Sequence, residues 1–267
     1  MTFVSYAQNY EDVILWRALN KIEKGFYVDI GAWDPVHDSV TKAFYDRGWR
    51  GINIEPVRHW YDKLVLERPE DINLNIAISD NASNLHMHHV VGTGLSTFDR
   101  VLAEKYREEM GFQIQDIIVP AFRLDTILEA HSATDIHFLK VDVEGSEKQV
   151  FSSINLKQTR PWIILTEITN LGTWEPLLIA RDYSFVYFDG LNRFYLANER
   201  SELRVAFGTP PNVFDSFVRF REWSLQKQLE AKDAELKPLQ SLHNSYKSLV
   251  ISPLKRIFNF LSNFFQK

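Results

Sequence analysis

The chain has 267 residues, of which 45% are hydrophobic and 13% aromatic, and its formal net charge is −5. This length allows one α/β domain of about 200 residues with an appendage. The acidic balance argues against a general nucleic-acid binder, which usually carries a basic excess. The chain has no cysteine, which excludes disulfides and thiolate zinc sites and favours a reducing compartment.

The sequence shows no signal peptide and no membrane span. The N-terminal segment MTFVSYAQNYEDVILW carries acids early and lacks a basic region, unlike a secretory signal. No apolar run approaches the roughly 20 residues that are needed to cross a bilayer. We therefore expect a soluble, cytoplasmic protein with no nucleic-acid partner.

The first part of the chain alternates strand and helix patterns. Short apolar runs predict buried strands, and apolar residues at helical spacing predict the helices between them. The predicted strands are 26–29, 51–56 and 72–79, and the predicted helices are 11–21, 39–48 after a cap at Asp38, and 58–68. This alternation is typical of a doubly wound parallel sheet.

After residue 80 the pattern becomes irregular and then regular again. Residues 84–90 predict an antiparallel strand, 92–97 a glycine-rich loop and 101–110 a charged helix. The later predicted elements are strands 136–143 and 161–168, a helix 144–154, and a closing hairpin of 183–189 and 193–199. We predict an α/β domain over residues 1–220 with a mostly parallel sheet, and a helical tail over 221–267 that Pro238 interrupts.

Carboxylates recur at the ends of the predicted strands. Asp29, Glu55 and Asp142 each end a strand, with Glu144 and Glu167 close by. Ligands of open α/β sheets bind at the carboxyl ends of the strands, where the strand order reverses. A carboxylate at the second strand end commonly accepts hydrogen bonds from the hydroxyls of an adenosine ribose. These acids therefore predict a nucleotide-type site.

The turn GAWDPV after the first of these strands decides between two kinds of nucleotide. It lacks the second and third glycines of GxGxxG, which let backbone amides approach a pyrophosphate. Asp29, Asp34 and Asp38 surround the turn and would repel a pyrophosphate, so NAD is disfavoured. A cationic adenosine ligand such as S-adenosylmethionine fits better. The alternative is that Asp29 only caps the turn.

Six motifs in order resemble the FkbM-type methyltransferases. They are SYAQNYEDVIL, YVDIGAWDP, WRGINIEP, NIAISD, GTGLST and FLKVDVEGSEKQV, and the resemblance covers roughly residues 3–200. The resemblance implies a Rossmann-like class I methyltransferase fold and dependence on S-adenosylmethionine. It also implies methyl transfer to hydroxyls of sugars or natural products.

Carried over by position, the resemblance implies a cofactor site. Asp29, Gly31 and Ala32 would surround the methionine portion of the cofactor, and Glu55 would hold its ribose. The implied cofactor-binding residues are Gln8, Asp12, Asp29, Gly31, Ala32, Ser39, Glu55, Pro56, Ser79, Asp80 and Asp142. Among them, Gln8 and Asp12 would belong to a lid, and Ser79 and Asp80 would flank the adenine together with Ile78.

The candidate catalytic residues are Asp142 and Glu144, at the mouth where donor and acceptor would meet, and the histidines His37 and His88. A sugar hydroxyl is a weak nucleophile and benefits from a general base, and histidine is readily poised near neutral pH. The alternative for His88 is that it and His86 form one face of an edge strand.

A metal route stays open from the sequence. The oxygen donors Asp142, Glu144, Glu167 and Asn170 are of the kind that Mg²⁺ prefers. They could equally bind substrate hydroxyls or pair with Lys140 or Lys148, so a divalent metal is possible but not predicted.

The end of the tail predicts an amphipathic helix over Leu254–Phe265. Its apolar residues fall within an arc of roughly 160° at helical spacing, with basic and polar residues opposite. Such a helix fits a membrane surface or docking on a protein, and both stay open.

Together these observations predict an O-methyltransferase that acts on a hydroxyl of a saccharide or lipid-linked glycan precursor, at the inner membrane face if the tail binds lipid. The alternative is a non-catalytic scaffold or binding module in a glycan-assembly complex. The sequence does not identify the acceptor, nor does it indicate an oligomeric state.

Overall fold

A computed structural model describes residues 2–168, 171–251, 253–256 and 258 of the chain. The chain divides into two compact units, Met1–Phe217 and Val218–Lys267. Each unit is described by itself, and the first contains every predicted site residue.

Helices and strands alternate along the first unit. Its strands are β1 (Phe3–Ser5), β2 (Phe26–Ile30), β3 (Arg50–Ile54), β4 (Ile72–Leu74), β5 (Ala77–Ile78), β6 (Ser83–Val90), β7 (Ile114–Phe122), β8 (Phe138–Val141), β9 (Ile163–Glu167), β10 (Tyr183–Phe188) and β11 (Asn192–Ala197), and a short strand β12 (Phe217–Arg219) lies at the boundary. Its helices are α1 (Glu11–Leu19), α2 (Lys42–Tyr45), α3 (Arg58–Glu67), α4 (Arg100–Met110), α5 (Leu124–Ala130), α6 (Glu147–Ser152) and α7 (Leu171–Ile179), followed by 3₁₀ turns at Asn198–Phe207 and Val213–Asp215.

A seven-stranded sheet organises this unit, in the order β10-β11-β9-β8-β2-β3-β4. The strands from β9 to β4 in this order run parallel, and β10 and β11 add an antiparallel hairpin at one edge. The chain proceeds outward from β2 to β3 and β4, and later returns to the other side of β2 with β8. The strand order therefore reverses between β2 and β8, which is where ligands of such sheets bind.

Both faces of the central strands are buried, which explains their nearly continuous apolar sequences. Val28 and Ile30 of β2 belong to the core on one face of the sheet, whereas Tyr27 belongs to the core on the other. Since side chains alternate along a strand, Asp29 points to the same face as Tyr27. The hydrophobic pattern thus decides which face receives the strand-end acid.

A second, three-stranded sheet corrects the prediction of one strand over 72–79. The segment divides into β4 of the large sheet and β5, and β5 pairs with β7 in the order β5-β7-β6. The Asn75 side chain lies between β4 and β5 and donates to the carbonyl oxygens of Glu55 and Pro56, each at 2.9 Å. These hydrogen bonds hold the chain where it leaves the large sheet.

The antiparallel strand expected at 84–90 is confirmed as β6, which pairs along its whole length with β7. Strand β7 was not predicted, because its sequence IQDIIVPAF contains a proline and ends the irregular segment. Proline is tolerated here as a strand residue at a position that need not donate.

The helix predicted over 39–48 is shorter than expected and comprises only Lys42–Tyr45. Asp38 does not cap it, since the residue before the helix is Thr41, and Asp38 has a left-handed backbone with φ 53°. Asp38 instead forms a parallel bridge with Ala7, which draws the residues before the helix toward the N-terminal segment.

The second unit consists mainly of α8 (Phe220–Tyr246), which continues into a π-helical turn at Lys247–Ile251. The helix runs through Pro238, where the sequence predicts an interruption. The side chains around Pro238 are exposed, so water can donate to the carbonyl that loses its backbone partner. The predicted helix Leu254–Phe265 lies mostly outside the described residues, and its role stays a prediction. None of the described helices is both long and apolar enough to span a bilayer.

Candidate active site

A cavity of about 300 Å³ opens at the reversal of strand order, beside the carboxyl ends of β2, β3, β8 and β9. Its size is at the lower end of the range for small-molecule sites. The predicted site residues that line it are Gln8, Gly31, Ala32, Glu55, Pro56, Asp142 and Glu144. The cavity therefore brings together residues from the strand ends and loops of all six motifs.

Gly31 follows β2 and packs against the end of β8. Its φ is 77°, and a Cβ atom built on it would lie 1.8 Å from the backbone oxygen of Asp142. The backbone also ties these strands together, since the Asp142 N–H donates to the Ile30 oxygen and the Gly31 N–H to the Ile54 oxygen, both at 3.0 Å. Only glycine allows this approach of one strand end to the next.

Glu55 presents a buried carboxylate at the end of β3. Its Oε2 accepts a hydrogen bond from the Trp33 N–H at 2.9 Å, and its Oε1 accepts one from the Val57 N–H at 2.7 Å. Burial raises the pKa of Glu55 to about 7, although these backbone hydrogen bonds lower it. The two amides hold the side chain in one orientation against the cavity.

Three further acids crowd the ends of β8 and β9. One carboxylate oxygen from each of Asp142, Glu144 and Glu167 lies within 4.8 Å of the others, and all three residues line the cavity. Burial and the neighbouring charge of Asp142 raise the pKa of Glu144 to about 7. The same two causes raise the pKa of Glu167 well above its ordinary value. At neutral pH this cluster can both hold and accept protons.

The oxygen donors of this cluster match what a divalent cation such as Mg²⁺ prefers. Asn170, the fourth donor considered from the sequence, lies outside the described residues. The Lys140 ammonium is 3.4 Å from Asp142 and already supplies positive charge to the cluster. No metal is assigned to this cluster, and metal dependence stays open.

From the sequence, Lys140 is expected only as a possible ion-pair partner of these acids and not as a site residue. It sits in the apolar strand β8, only 8% exposed, and lines the cavity. A lysine within a buried strand needs an anionic partner, and Asp29 of β2 and Asp142, directly after β8, provide it. That signal was present in the sequence FLKVDVEGSE.

The irregular segment between β5 and β8 reaches the acid cluster through Glu144. Glu144 has a left-handed backbone with φ 49°. Thr97 donates its hydroxyl to the Glu144 carbonyl oxygen at 2.7 Å, and Tyr106 of α4 donates to Oε2 at 3.1 Å. A non-glycine residue in this conformation costs energy and recurs at functional sites.

The glycine-rich loop forms another part of the cavity wall. Thr93, Gly94 and Ser96 line the cavity, and a Cβ atom at Gly94 would lie 3.2 Å from the Trp33 ring. The rings of Trp33 and Trp60 meet edge to face with centroids 5.3 Å apart. Because the loop backbone covers the Trp33 ring, this tryptophan packs as part of the wall and does not offer an open platform.

Several residues predicted to bind the cofactor lie behind the cavity wall. Asp12 is fully buried and accepts hydrogen bonds from the Ser5 hydroxyl and the Tyr6 N–H, both at 2.7 Å. Ser39 accepts a hydrogen bond from the buried Arg68 guanidinium. Asp29 is 1% exposed and does not line the cavity. Their direct contact with a cofactor stays a prediction.

Ser79 and Asp80 also lie outside the lining residues, with the Ser79 hydroxyl donating to Asp80 at 3.3 Å. The adjoining residues Ile76, Ala77 and Ile78 line the cavity instead. The apolar end of the cavity is therefore formed by the residues just before the predicted pair.

The two candidate histidines have acidic partners outside the cavity lining. His37 has 71% of its side chain exposed and approaches Asp34 with its Nδ1 at 3.4 Å. His88 is on β6, with its Nδ1 2.6 Å from Asp116 Oδ1, in the alternating pattern of an edge strand. Neither lines the cavity, and no observation assigns either a catalytic role.

The sequence model described as the Methyltransferase FkbM domain matches residues 29–194, which is more than half of the chain and includes most of the cavity. No curated protein sequence matches the chain. A crystal structure of Methyltransferase FkbM from Methylobacillus flagellatus KT is similar, with 16% sequence identity and a TM-score of 0.43. The match covers 65% of this chain and 44% of that one. The chain belongs to the FkbM methyltransferase family.

Proposed function

We propose that this chain is an S-adenosylmethionine-dependent O-methyltransferase with the class I arrangement, and that its acceptor is a hydroxyl of a saccharide or glycan precursor. The observation that carries the proposal is the cavity at the reversal of strand order. It combines the Gly31 turn, the Glu55 carboxylate and a cluster of three acids in one space.

The charge of the cavity supports a cationic cofactor. Acids outnumber cations among the described lining residues, and this balance disfavours a pyrophosphate. Each oxygen of Glu55 accepts one backbone N–H and retains a second lone pair. Glu55 can therefore accept hydrogen bonds from two ribose hydroxyls, while Ile76 and Ile78 provide apolar surface for an adenine.

The bound cofactor would supply a methyl group on a sulfonium centre. The chain's part is to hold the acceptor oxygen in line and to exclude water, and positioning alone can contribute much of the rate of such a reaction. We assign to Glu144 the proton that the acceptor hydroxyl loses, because a base with a pKa near the working pH is the most effective. Tyr106, through its hydrogen bond to Oε2, would hold this base in place.

A polyhydroxylated acceptor is proposed from the family and supported by the polar part of the lining. Gln8, Thr93 and Ser96 line the cavity together with the acid cluster and offer both donors and acceptors to hydroxyl groups. A cytoplasmic location and a membrane or protein contact through Leu254–Phe265 complete the proposal.

The experiment has two stages. Calorimetry of the purified, folded chain with S-adenosylmethionine should detect binding. Incubation with methyl-labelled cofactor and a panel of saccharides and lipid-linked precursors should then give a product that carries the label on an oxygen, identified by mass spectrometry. A folded chain that binds no cofactor would refute the proposal and favour the non-catalytic scaffold.

A further inference from the structure

Lys140 is a buried cation in the middle of the cavity wall. It lies on β8 in register with Asp29 of β2 and is 8% exposed. Its Nζ donates a hydrogen bond to the Gly31 carbonyl oxygen at 2.7 Å. The same Nζ atom lies 3.3 Å from Asp29 Oδ1 and 3.4 Å from Asp142 Oδ2. Three elements of the site thus converge on one ammonium group.

Asp29 stands behind Lys140 as seen from the cavity. It is 1% exposed, and its Oδ2 accepts a hydrogen bond from the Thr41 hydroxyl at 2.9 Å. Burial lowers the pKa of Lys140, but the charges of Asp29 and Asp142 outweigh burial and raise it. Lys140 therefore remains an ammonium group, and Asp29 lies beside it without lining the cavity.

The cavity offers no second cation for an anionic part of a ligand. Among the described residues that line it, the charged ones are Lys140 and the acids Asp38, Glu55, Asp142, Glu144 and Glu167. An ammonium has three N–H donors, and the hydrogen bond to Gly31 uses one of them. A carboxylate that enters this cavity would be repelled by the acids and has one favourable partner.

We propose that Lys140 binds the carboxylate of the cofactor's methionine portion, and that Asp29 holds Lys140 in place without contacting the cofactor. This inference rests on the proposed function, since it concerns how the same cavity recognises S-adenosylmethionine. It makes Lys140 a specificity-determining residue and Asp29 a positioning residue.

Decarboxylated S-adenosylmethionine is the probe, because it keeps the adenosine, the sulfonium and the amino group and lacks only the carboxylate. Calorimetry should show that the wild-type chain binds S-adenosylmethionine roughly ten- to a hundredfold more tightly than the probe, as expected for one hydrogen-bonded charge pair. In Lys140→Met this preference should disappear, through weaker binding of S-adenosylmethionine.

A second variant separates recognition from folding. Lys140→Met alone leaves Asp29 buried without a cation, which destabilises proteins strongly. The double variant Asp29→Asn/Lys140→Met removes both charges, and circular dichroism should show it folded. If Lys140 only neutralised Asp29, the double variant would regain the preference for S-adenosylmethionine; if Lys140 binds the carboxylate, it should bind both ligands equally.

The outcomes distinguish this inference from the proposed function. Equal affinity of the wild-type chain for the two ligands, or an unchanged preference in a folded variant, would overturn the role of Lys140 while leaving cofactor binding intact. Failure of the folded wild-type chain to bind either ligand would overturn the proposed function and this inference with it.

Discussion

The close approach of Gly31 to the end of β8 makes Gly31→Ala the sharpest test of the site's architecture. The added methyl group would lie 1.8 Å from the Asp142 backbone oxygen, far inside van der Waals contact. Because the obstacle is backbone on a neighbouring strand, no side-chain rotation can relieve it. The β2 turn and the end of β8 would have to separate.

The expected loss of stability in Gly31→Ala has two parts. Placing alanine at φ 77° costs about 1–2 kcal/mol for the left-handed backbone. Forcing extra volume into a packed contact costs about 1–3 kcal/mol more. We therefore expect Gly31→Ala to lower the free energy of unfolding by roughly 2–5 kcal/mol in total, and to weaken cofactor binding because Asp142 and the Gly31 carbonyl both move.

Gly48→Ala is the matched control. Gly48 also has a left-handed backbone, with φ 86°, but a Cβ atom there would meet nothing within 4 Å. It should cost only the backbone part, about 1–2 kcal/mol. Urea unfolding followed by circular dichroism measures both variants. A Gly31→Ala variant no less stable than Gly48→Ala would refute the close contact between the two strand ends.

Three further predictions concern Glu55, Tyr106 and the tail. Burial raises the pKa of Glu55 from 4.5 to about 7, so the folded state binds this proton more tightly than the unfolded state. The wild-type chain should therefore lose stability relative to Glu55→Gln as the pH rises from 4.5 to 7. Urea unfolding midpoints of the two chains that differ by the same amount at every pH in this range would contradict the prediction. Tyr106→Phe removes a hydrogen bond that lowers the pKa of Glu144, so the acidic limb of the pH profile of kcat/KM should move to higher pH, and an unmoved limb would argue against Glu144 as the base. Deletion of residues 250–267 should abolish sedimentation with anionic liposomes and spare methylation of a soluble acceptor; liposome binding that survives the deletion would exclude the membrane role.

The crowding of acids explains why the site needs the buried lysine. With Glu55, Glu144 and Glu167 all raised in pKa by burial, the site can keep part of its carboxyl groups protonated at neutral pH. Asp29 Oδ2 accepts a hydrogen bond from Thr41, and its Oδ1 lies 3.3 Å from the Lys140 ammonium without a hydrogen bond. One ammonium group and partial protonation thus reduce, but do not cancel, the negative charge of the described cavity residues.

Much of the fold follows from local pattern. Short apolar runs ending at Asp29, Glu55 and Asp142 predict parallel strands, because a strand buried on both faces must be apolar over its length. The doubly wound parallel sheet can be expected from the alternation of strand and helix patterns, and the last two strand patterns predict the closing hairpin. The α/β class was therefore predictable before any contact was known.

The irregular segment after β5 was less predictable. Strand β7 carries a proline and exposed apolar residues, and its partner β6 alternates histidines with apolar residues. Pairing between them depends on contacts across about 30 residues, which local propensity does not encode. The second sheet exists because the two strands meet in space.

The features of the site also divide into those that the sequence predicts and those that only the structure reveals. The sequence alone determined that carboxylates stand at successive strand ends and that Gly31 follows the first of them, since strand ends and turns are local features. Only the tertiary structure decided that Lys140 lies beside Asp29, that Asp12 and Ser39 lie behind the cavity wall, and that Ser79 and Asp80 do not line the cavity. These outcomes depend on which face each side chain takes and on which strands become neighbours, and both are set by the packing of the whole sheet.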